Sequence, residues 1–150
     1  MATTADELAA VRSGGGPPLV ERLLRAPGVG ALARVLLTAA FWTSGVAKLL
    51  DFPGAVAEVA GLGLPAPALV AALTILVQLG GSALVVLDRW AWLGAGALAA
   101  FTVAATVLAH AFWNAPADQW AHQFATFTEH MGLVGGFLLA AILSARRGRP

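Results

Sequence analysis

Residues 66–87 read APALVAALTILVQLGGSALVVL, an apolar run without a single charged side chain between Glu58 and Asp88. A helix of this length rises about 30 Å, which matches the hydrocarbon core of a bilayer. Pro65 and Pro67 suit the start of such a helix, where a missing backbone N–H costs nothing. The run therefore predicts a membrane-spanning helix.

The composition of the whole chain predicts the same environment. Hydrophobic residues make up 59% of the 150 residues and charged residues only 11%, too apolar a balance for a soluble surface. The lipid bilayer is therefore the expected surrounding. The net charge of +1 indicates neither nucleic acid nor an acidic substrate as a partner. Because the chain has no cysteine, disulfides, thiolate metal sites and thiol redox chemistry are excluded.

A second apolar run, residues 31–50, predicts another spanning helix. It is interrupted only by Arg34 and Lys48, which lie near its two ends, where long cationic side chains extend to the membrane surface. A cleaved signal peptide with residues 35–40 as its apolar core is the alternative. The long polar lead and the three further apolar runs favour the spanning helix.

Two more runs complete a predicted set of four spans. Residues 90–113 carry no formal charge. Residues 131–145 are too short to cross alone and need residues 124–130, which include Glu129. We predict that residues 51–65 form an outer half-turn or re-entrant segment that closes over the first two spans. We therefore expect an all-α fold: a four-helix transmembrane bundle with a short re-entrant or interfacial segment after the first span.

The predicted membrane domain covers residues 31–145 and lies between two tails. Residues 1–30 include a stretch rich in glycine and proline and predict a flexible cytoplasmic tail. Within it, Leu19–Arg25 has the apolar and charged faces of a short interfacial helix, which the Pro-Gly pair at 27–28 ends. Residues 146–150 form a basic cytoplasmic tail.

Basic residues predict the orientation, because Lys and Arg are retained on the cytoplasmic side. Four spans leave Lys48 as the only basic residue on the outer side, so the chain is expected in a bacterial inner membrane with both termini cytoplasmic. Arg34 and the C-terminal arginines would set this topology or bind anionic lipid head groups. The inner basic residues are Arg12, Arg22, Arg25, Arg34, Arg89, Arg146, Arg147 and Arg149; interfacial tryptophans are Trp90 and Trp92 inside and Trp113 and Trp120 outside.

Small residues predict where the helices touch, since they let backbones approach closely within a membrane. The chain is too small to hold the paired inverted halves of many secondary transporters, which a homodimer would supply. The small residues at the expected contacts are Gly80, Gly81, Ser82, Gly94, Gly96, Gly132 and Gly136.

Five short motifs, in order along the chain, resemble the DoxX family of small bacterial membrane proteins. Together they cover roughly residues 34–143. The ordered set across four spans is more specific than any one motif. The motifs are FWTSGVAKLLD at 41–51, GLGLP at 61–65, QLGG at 78–81, HAFW at 110–113 and MGLVGG at 131–136.

The resemblance implies a role in membrane redox chemistry. Some DoxX proteins are subunits of quinone-linked oxidoreductases such as thiosulfate:quinone oxidoreductase, and others are described as membrane anchors in oxidative-stress complexes. A quinone is therefore the cofactor that the resemblance implies. The chain departs from the family in two places: Gln78 stands where Glu is frequent, and Glu129-His130 stands where Lys-Asn is frequent. The missing ionisable group at Gln78 weakens any proton relay there.

Lys48 is the first candidate site residue, and Ser44 precedes it by one helical turn, so both can face one pocket. Lys48 would supply a cation to a quinone carbonyl, a carboxylate or an acidic neighbour such as Asp51 or Glu129. The structural alternative is a helix-end lysine that extends to the interface and pairs with Asp51.

The three histidines fall in the connection between the third and fourth spans, together with Asp118 and Glu129. A neutral imidazole in this cluster of histidines suits proton exchange with a quinol ring. Asp118 and His122 would share a helical face, and with His110 they form an alternative nitrogen and oxygen metal site. The structural alternative for His110, His122 and His130 is an interfacial imidazole bonded to water or backbone.

Gln78 lies about halfway along the second span and must face the bundle, because an unpaired amide is costly in hydrocarbon. It either links helices by a hydrogen bond of about 1 kcal/mol or contacts a ligand. Ser44, Lys48, Gln78 and His110 together form the predicted ligand-binding pocket on the outer side.

The functional hypothesis is a small membrane subunit or anchor of a redox complex, quinone-linked or involved in oxidative stress, with a redox partner protein. The first alternative is a protein that binds or transports a small solute without electron transfer. The second is a passive anchor for a soluble partner docked on the cytoplasmic arginines. No nucleophile motif supports covalent catalysis, since cysteine and a Gly-x-Ser-x-Gly elbow are both missing.

Overall fold

A computed structural model describes residues 17–147, which are helical with no strand. The chain divides at Ala33 into a short N-terminal unit and a main unit. The expected flexible tail up to residue 16 and residues 148–150 of the expected basic tail lie outside the described residues. The helices are α1 (Pro18–Leu24), α2 (Pro27–Leu37), α3 (Ala39–Leu50), α4 (Phe52–Gly61), α5 (Pro67–Val86), α6 (Ala91–Ala109), a 3₁₀ turn (Phe112–Asn114) and α7 (Ala117–Arg147).

Helix α1 forms where an interfacial helix was predicted. Pro18 occupies its first turn, and Glu21 and Arg25 form an exposed ion pair one turn apart, with 3.8 Å between their charged atoms. The Pro-Gly pair at 27–28 was predicted to end this helix. It instead begins α2, since α1 already ends at Leu24, and proline fits the first turn of a helix well.

Three helical stretches in the described part of the chain are long and apolar enough to cross a membrane: 67–86, 91–114 and 117–146. A fourth candidate is the pair 28–37 and 39–50, if the two helices together make one span. The second predicted span, 66–87, agrees with α5 within one residue at each end. The third agrees with α6 and its 3₁₀ extension.

The first predicted span is bent by 56° instead of continuous, and the bend lies at Thr38. Thr38 is fully buried, and its hydroxyl donates to the carbonyl oxygens of Arg34 at 2.9 Å and Val35 at 3.3 Å. The Trp42 indole N–H also donates to the Val35 carbonyl, at 3.4 Å. Threonine hydroxyls that bond the preceding turn bend helices. The expectation of one continuous helix over 31–50 was therefore wrong.

The last helix begins earlier than predicted. Helix α7 is continuous from Ala117 and has 31 residues, so it rises about 46 Å and exceeds the hydrocarbon core by about 16 Å. Its first turns carry an aromatic cluster in which the Trp120 and Phe124 rings stack at 5.1 Å and Phe112 approaches Phe124 at 5.3 Å. Aromatic rings of this kind suit a membrane interface.

The segment after the first span is a full helix, α4. The Asp51 carboxylate caps it by accepting a hydrogen bond from the Gly54 N–H at 3.0 Å. Its buried face packs Ala55 and Val59 against Ala71 of α5. The segment thus closes over α5 as expected, and its helical form fixes which of its side chains face inward.

Side chains from α3, α5, α6 and α7 meet in one core. Phe41 and Phe137 pack edge to face at 5.3 Å, and Val85, Ala95 and Leu98 complete the cluster. This core lies beside the site described below and holds the four helices at fixed positions.

Two of the predicted glycine contacts bring α5 and α6 together. A Cβ built on Gly94 would lie 2.6 Å from the Gly81 carbonyl oxygen, so only glycine permits this approach. Gly80, Gly96 and Gly132 face open space. Their prediction as contact residues was wrong, because the spacing of small residues does not tell which side of a helix is packed.

Candidate ligand-binding cavity

A cavity of about 410 Å³ lies within the main unit, with walls contributed by α3, α4, α5, α6 and α7. Most of its wall is apolar, formed by alanine, valine, leucine and phenylalanine side chains. Such a volume lies in the range of small-molecule sites, which combine an apolar wall with a few polar groups. The polar side chains in the wall are Ser44, Lys48, Glu58, Thr74, Gln78, His110 and His130.

All four residues predicted to bind a ligand lie in the wall of this cavity. Ser44 and Lys48 come from α3, Gln78 from α5, and His110 from the end of α6. The one-turn spacing places Ser44 and Lys48 on the same face of α3, as expected. The bend at Thr38 precedes both residues, and they share the straight part of the helix.

Lys48 forms an ion pair with Glu58 of α4. The Lys48 side chain is 19% exposed and the Glu58 side chain 61% exposed, so the pair lies at the edge of the cavity. Asp51 and Glu129 were the predicted partners, and that prediction was wrong. Asp51 instead caps the N-terminus of α4. This helix places Glu58 beside Lys48.

Gln78 is 5% exposed and faces the bundle, as predicted. Its Nε2 donates to the Ser44 hydroxyl at 3.3 Å, which links α5 to α3. Its Oε1 is buried and has no hydrogen-bond partner among residues 17–147. A buried carbonyl oxygen without a partner costs about 1–3 kcal/mol, so a ligand that donates to this atom would gain by doing so.

The two histidines in the wall contact each other. The rings of His110 and His130 pack edge to face, with 5.2 Å between their centres. His110 Nδ1 lies 3.0 Å from Gln123 Oε1, and His130 Nδ1 lies 2.7 Å from the Thr106 hydroxyl. These polar partners fix both rings in orientation.

Sequence reasoning missed Glu58 and His130 as members of the site. Glu58 is the single charged residue between Asp51 and Asp88, and that isolation is the signal that could have singled it out. His130 was treated as an interfacial imidazole. Its place inside the predicted fourth span gave the signal, because ionisable groups at membrane depth usually face a bundle interior.

The alternative metal site is not assembled. Asp118 and His122 lie on exposed positions of α7, whereas His110 lines the cavity. Within residues 17–147, no three or more His, Asp and Glu side chains are grouped so as to hold a metal ion.

Arg34 lies near the other end of the first span from Lys48 and forms an ion pair with Asp88. Its Nη1 lies 3.3 Å from Asp88 Oδ2, and its Nε lies 3.4 Å from the Val86 carbonyl oxygen. Both side chains are largely buried, at 22% and 29% exposed. This ion pair joins the first span to the turn after α5, a structural role that the expected topology or lipid role did not include.

The sequence profile of the DoxX family matches residues 30–111 of the chain. That match covers more than half of the chain. The chain belongs to the DoxX family. The DoxX segment contains Ser44, Lys48, Glu58 and Gln78 and ends one residue after His110. His130 lies beyond it.

A DoxX relative supports the membrane location. The chain is 28% identical over 111 residues to the inner membrane protein YphA of Escherichia coli (strain K12). The aligned region covers 74% of this chain and 79% of YphA. No solved structure is a significant match to this DoxX chain.

Proposed function

We propose that this DoxX protein is a small membrane subunit of a redox complex and that it binds a quinone-type ring in the cavity between α3, α4, α5, α6 and α7. The observation that carries the proposal is the gathering of Ser44, Lys48, Gln78 and His110, which come from three different helical segments, around one apolar cavity. The family resemblance suggests the chemical class of the ligand, and the cavity is its proposed binding site.

The wall of the cavity suits a substituted ring with an apolar tail. Phe41, Phe101 and Leu133 offer apolar surface for the ring, while the polar side chains lie at separate points of the wall. A quinone-type ring carries two oxygen atoms on opposite carbons and apolar edges between them. This separation of polar and apolar surface matches the general design of cofactor sites.

Lys48 and His110 have distinct roles in this proposal. The Lys48 ammonium has three donors, of which the bond to Glu58 uses one. The remaining donors can bond one ring oxygen. His110 can exchange a proton with the other ring oxygen, because an imidazole nitrogen can accept a proton and release it again.

The proposal includes the membrane arrangement. Helices α2 and α3 act as one broken span and, with α5, α6 and α7, make four spans. Both termini lie in the cytoplasm, and the Lys48 end of the bundle lies at the outer face of the inner membrane. The support for this orientation is the asymmetry of Lys and Arg along the chain.

Affinity purification from gently solubilised native membranes tests the redox role. The wild-type chain, a Lys48→Ala/His110→Ala double variant and the control Leu76→Ala, whose side chain is 65% exposed on α5, are purified with a tag. We expect an electron-transfer protein in stoichiometric amount with wild type and control. Complementation of a deletion strain should fail only for the double variant.

Recovery of the chain alone, with full complementation by the double variant, would contradict the redox role. The solute-binding alternative would then be tested by transport assays. Loss of complementation by substitutions at the cytoplasmic arginines alone would favour a passive anchor.

A further inference from the structure

Two hydroxyl groups in the cavity wall have hydrogens to donate. Ser44 of α3 and Thr74 of α5 both line the cavity. The Ser44 oxygen accepts from Gln78 Nε2, and no acceptor for its own hydrogen lies among residues 17–147. The Thr74 hydroxyl has no hydrogen-bond partner in the same part of the chain. Both O–H groups are therefore available to a ligand.

Two contacts show that the first span and α5 run in opposite directions. Near the start of the first span, Arg34 Nε donates to the Val86 carbonyl oxygen at the end of α5. Further along, Ser44 meets Gln78, which lies earlier in α5. As the number rises in one helix, that of its partner falls in the other, so the packing is antiparallel.

This register brings the Lys48 ammonium to the same level as Thr74. Lys48 lies one turn after Ser44 in α3. Thr74 lies one turn before Gln78 in α5, so both residues are on the same side of the contact between Ser44 and Gln78. A cation and two O–H donors thus meet in one region of the wall. A carboxylate, which only accepts hydrogen bonds, matches these donors.

The present partner of Lys48 can be replaced. The Lys48 side chain is 19% exposed and belongs to the wall, whereas the Glu58 side chain is 61% exposed. Glu58 can turn into water with little change in its solvation. A ligand carboxylate in its place keeps the Lys48 charge paired, which a neutral ligand does not do. It also gains the hydrogen bonds of Ser44 and Thr74.

The remaining wall indicates the other half of the ligand. Alanine, valine, leucine and phenylalanine side chains form most of it. The volume of about 410 Å³ lies near the lower end of the range for small-molecule sites. A single apolar chain or ring therefore suits the cavity better than a lipid with two acyl chains.

We infer that the cavity binds an apolar carboxylic acid in its ionised form, with the carboxylate on Lys48, Ser44 and Thr74 in place of Glu58. Such acids are ionised at neutral pH. The ligand class goes beyond the proposed function, because it follows from the donors in the wall and is independent of a quinone-type ring.

Binding of radiolabelled decanoate tests this ligand class. The purified chain in phosphatidylcholine nanodiscs is titrated, and the part of the binding that excess unlabelled decanoate displaces is separated from partition into lipid. We expect saturable binding, with decanol and decylamine about tenfold or more weaker as competitors, because charge-assisted bonds are the stronger ones. Equal competition by either compound, or no saturable binding, would overturn the inference and leave the proposed quinone-type ring unaffected. Displacement by phosphatidylglycerol in the discs would also overturn it, since the anion would then be a lipid head group.

Two charge variants should change decanoate binding in opposite directions. Lys48→Met removes the cation and should weaken binding about tenfold or more. Glu58→Gln removes the competing carboxylate and should tighten binding about threefold, in line with the modest strength of an exposed ion pair. If the pair only holds the cavity in shape, both variants weaken binding, and that result would contradict the replacement of Glu58.

A matched pair of variants tests the donor on α5. Thr74→Val keeps the shape of the side chain without its O–H and should weaken decanoate binding about threefold to tenfold, the usual effect of one lost hydrogen bond. Thr74→Ser keeps the hydroxyl and should bind as the wild type does. Leu76→Ala, at an exposed position of the same helix, is the control. Equal binding by Thr74→Val and Thr74→Ser would refute the assignment of Thr74 to the carboxylate site.

Discussion

Lys48 near the end of α3 forms an ion pair with Glu58 of α4, ten residues later in the chain. The pair joins α3, which contributes Ser44 and Lys48 to the cavity wall, to α4, which packs beside it. With Glu58 61% exposed, the pair lies at the edge of the cavity.

The Lys48 and Glu58 pair should contribute little to stability. Exposed ion pairs are worth about 0.2–1 kcal/mol in double-mutant cycles, and Glu58 is largely exposed. A cycle of Lys48→Met, Glu58→Gln and the double variant, measured by SDS titration in mixed micelles, should give a coupling in that range. A coupling above about 3 kcal/mol, the value typical of buried pairs, would contradict the placement at the edge.

The contact between Gly81 and Gly94 should be intolerant of a methyl group. Gly94→Ala would push a Cβ against the Gly81 carbonyl oxygen, and overpacking of this kind costs about 1–3 kcal/mol. Gly96→Ala, two residues along α6, adds its Cβ to open space and should gain about 0.5–1 kcal/mol from helix propensity. The same SDS titration compares the two variants, and equal effects would refute the close approach of α5 and α6.

The ion pair between Arg34 and Asp88 should contribute more to the free energy of unfolding than the neighbouring Arg89 side chain does. Asp88→Asn removes the charge but keeps a residue that tolerates the left-handed backbone found there, φ 55°. We expect a loss of about 1–2 kcal/mol in the free energy of unfolding, because hydrogen bonds to charged groups are among the stronger ones. Arg89→Gln, which changes an exposed side chain, is the control and should stay within about 0.5 kcal/mol of wild type. A larger loss from Arg89→Gln would assign the effect to net charge.

The orientation can be tested cleanly because the chain has no cysteine. A cysteine at Asn114, an exposed residue of the 3₁₀ turn, should react with a membrane-impermeant thiol reagent added outside the inner membrane. A cysteine at Arg89 should react only after the membrane is opened. The reverse pattern would place the cavity end of the bundle in the cytoplasm.

The spans could be predicted wherever the hydropathy of a continuous run of residues determines them. Helices α5 and α6 follow directly from uncharged runs of membrane length, and no knowledge of their contacts is needed. The bend at Thr38 was not predictable in this way. A threonine in an apolar run either donates to the preceding turn or bonds a neighbouring helix, and hydropathy does not distinguish these outcomes.

The sequence was enough to single out four residues that line the cavity, but not the residues with which they pair. Ser44, Lys48, Gln78 and His110 stand out as polar groups within or beside apolar runs, and one cavity holds all four. Glu58 and His130 were missed because their roles depend on which helix faces which. That information arises only when α4 and α7 pack against the rest of the bundle.

The most direct test of the proposed quinone-type site is to locate a bound quinone by photo-crosslinking. The purified protein in nanodiscs is irradiated with a short-chain azido-benzoquinone, and the modified residues are identified by mass spectrometry. We expect adducts on cavity-wall segments such as 40–48 and 104–110, suppressed by excess unmodified quinone and reduced in Gln78→Leu but not in Leu76→Ala. Adducts confined to lipid-facing residues, or unaffected by the competitor, would contradict it.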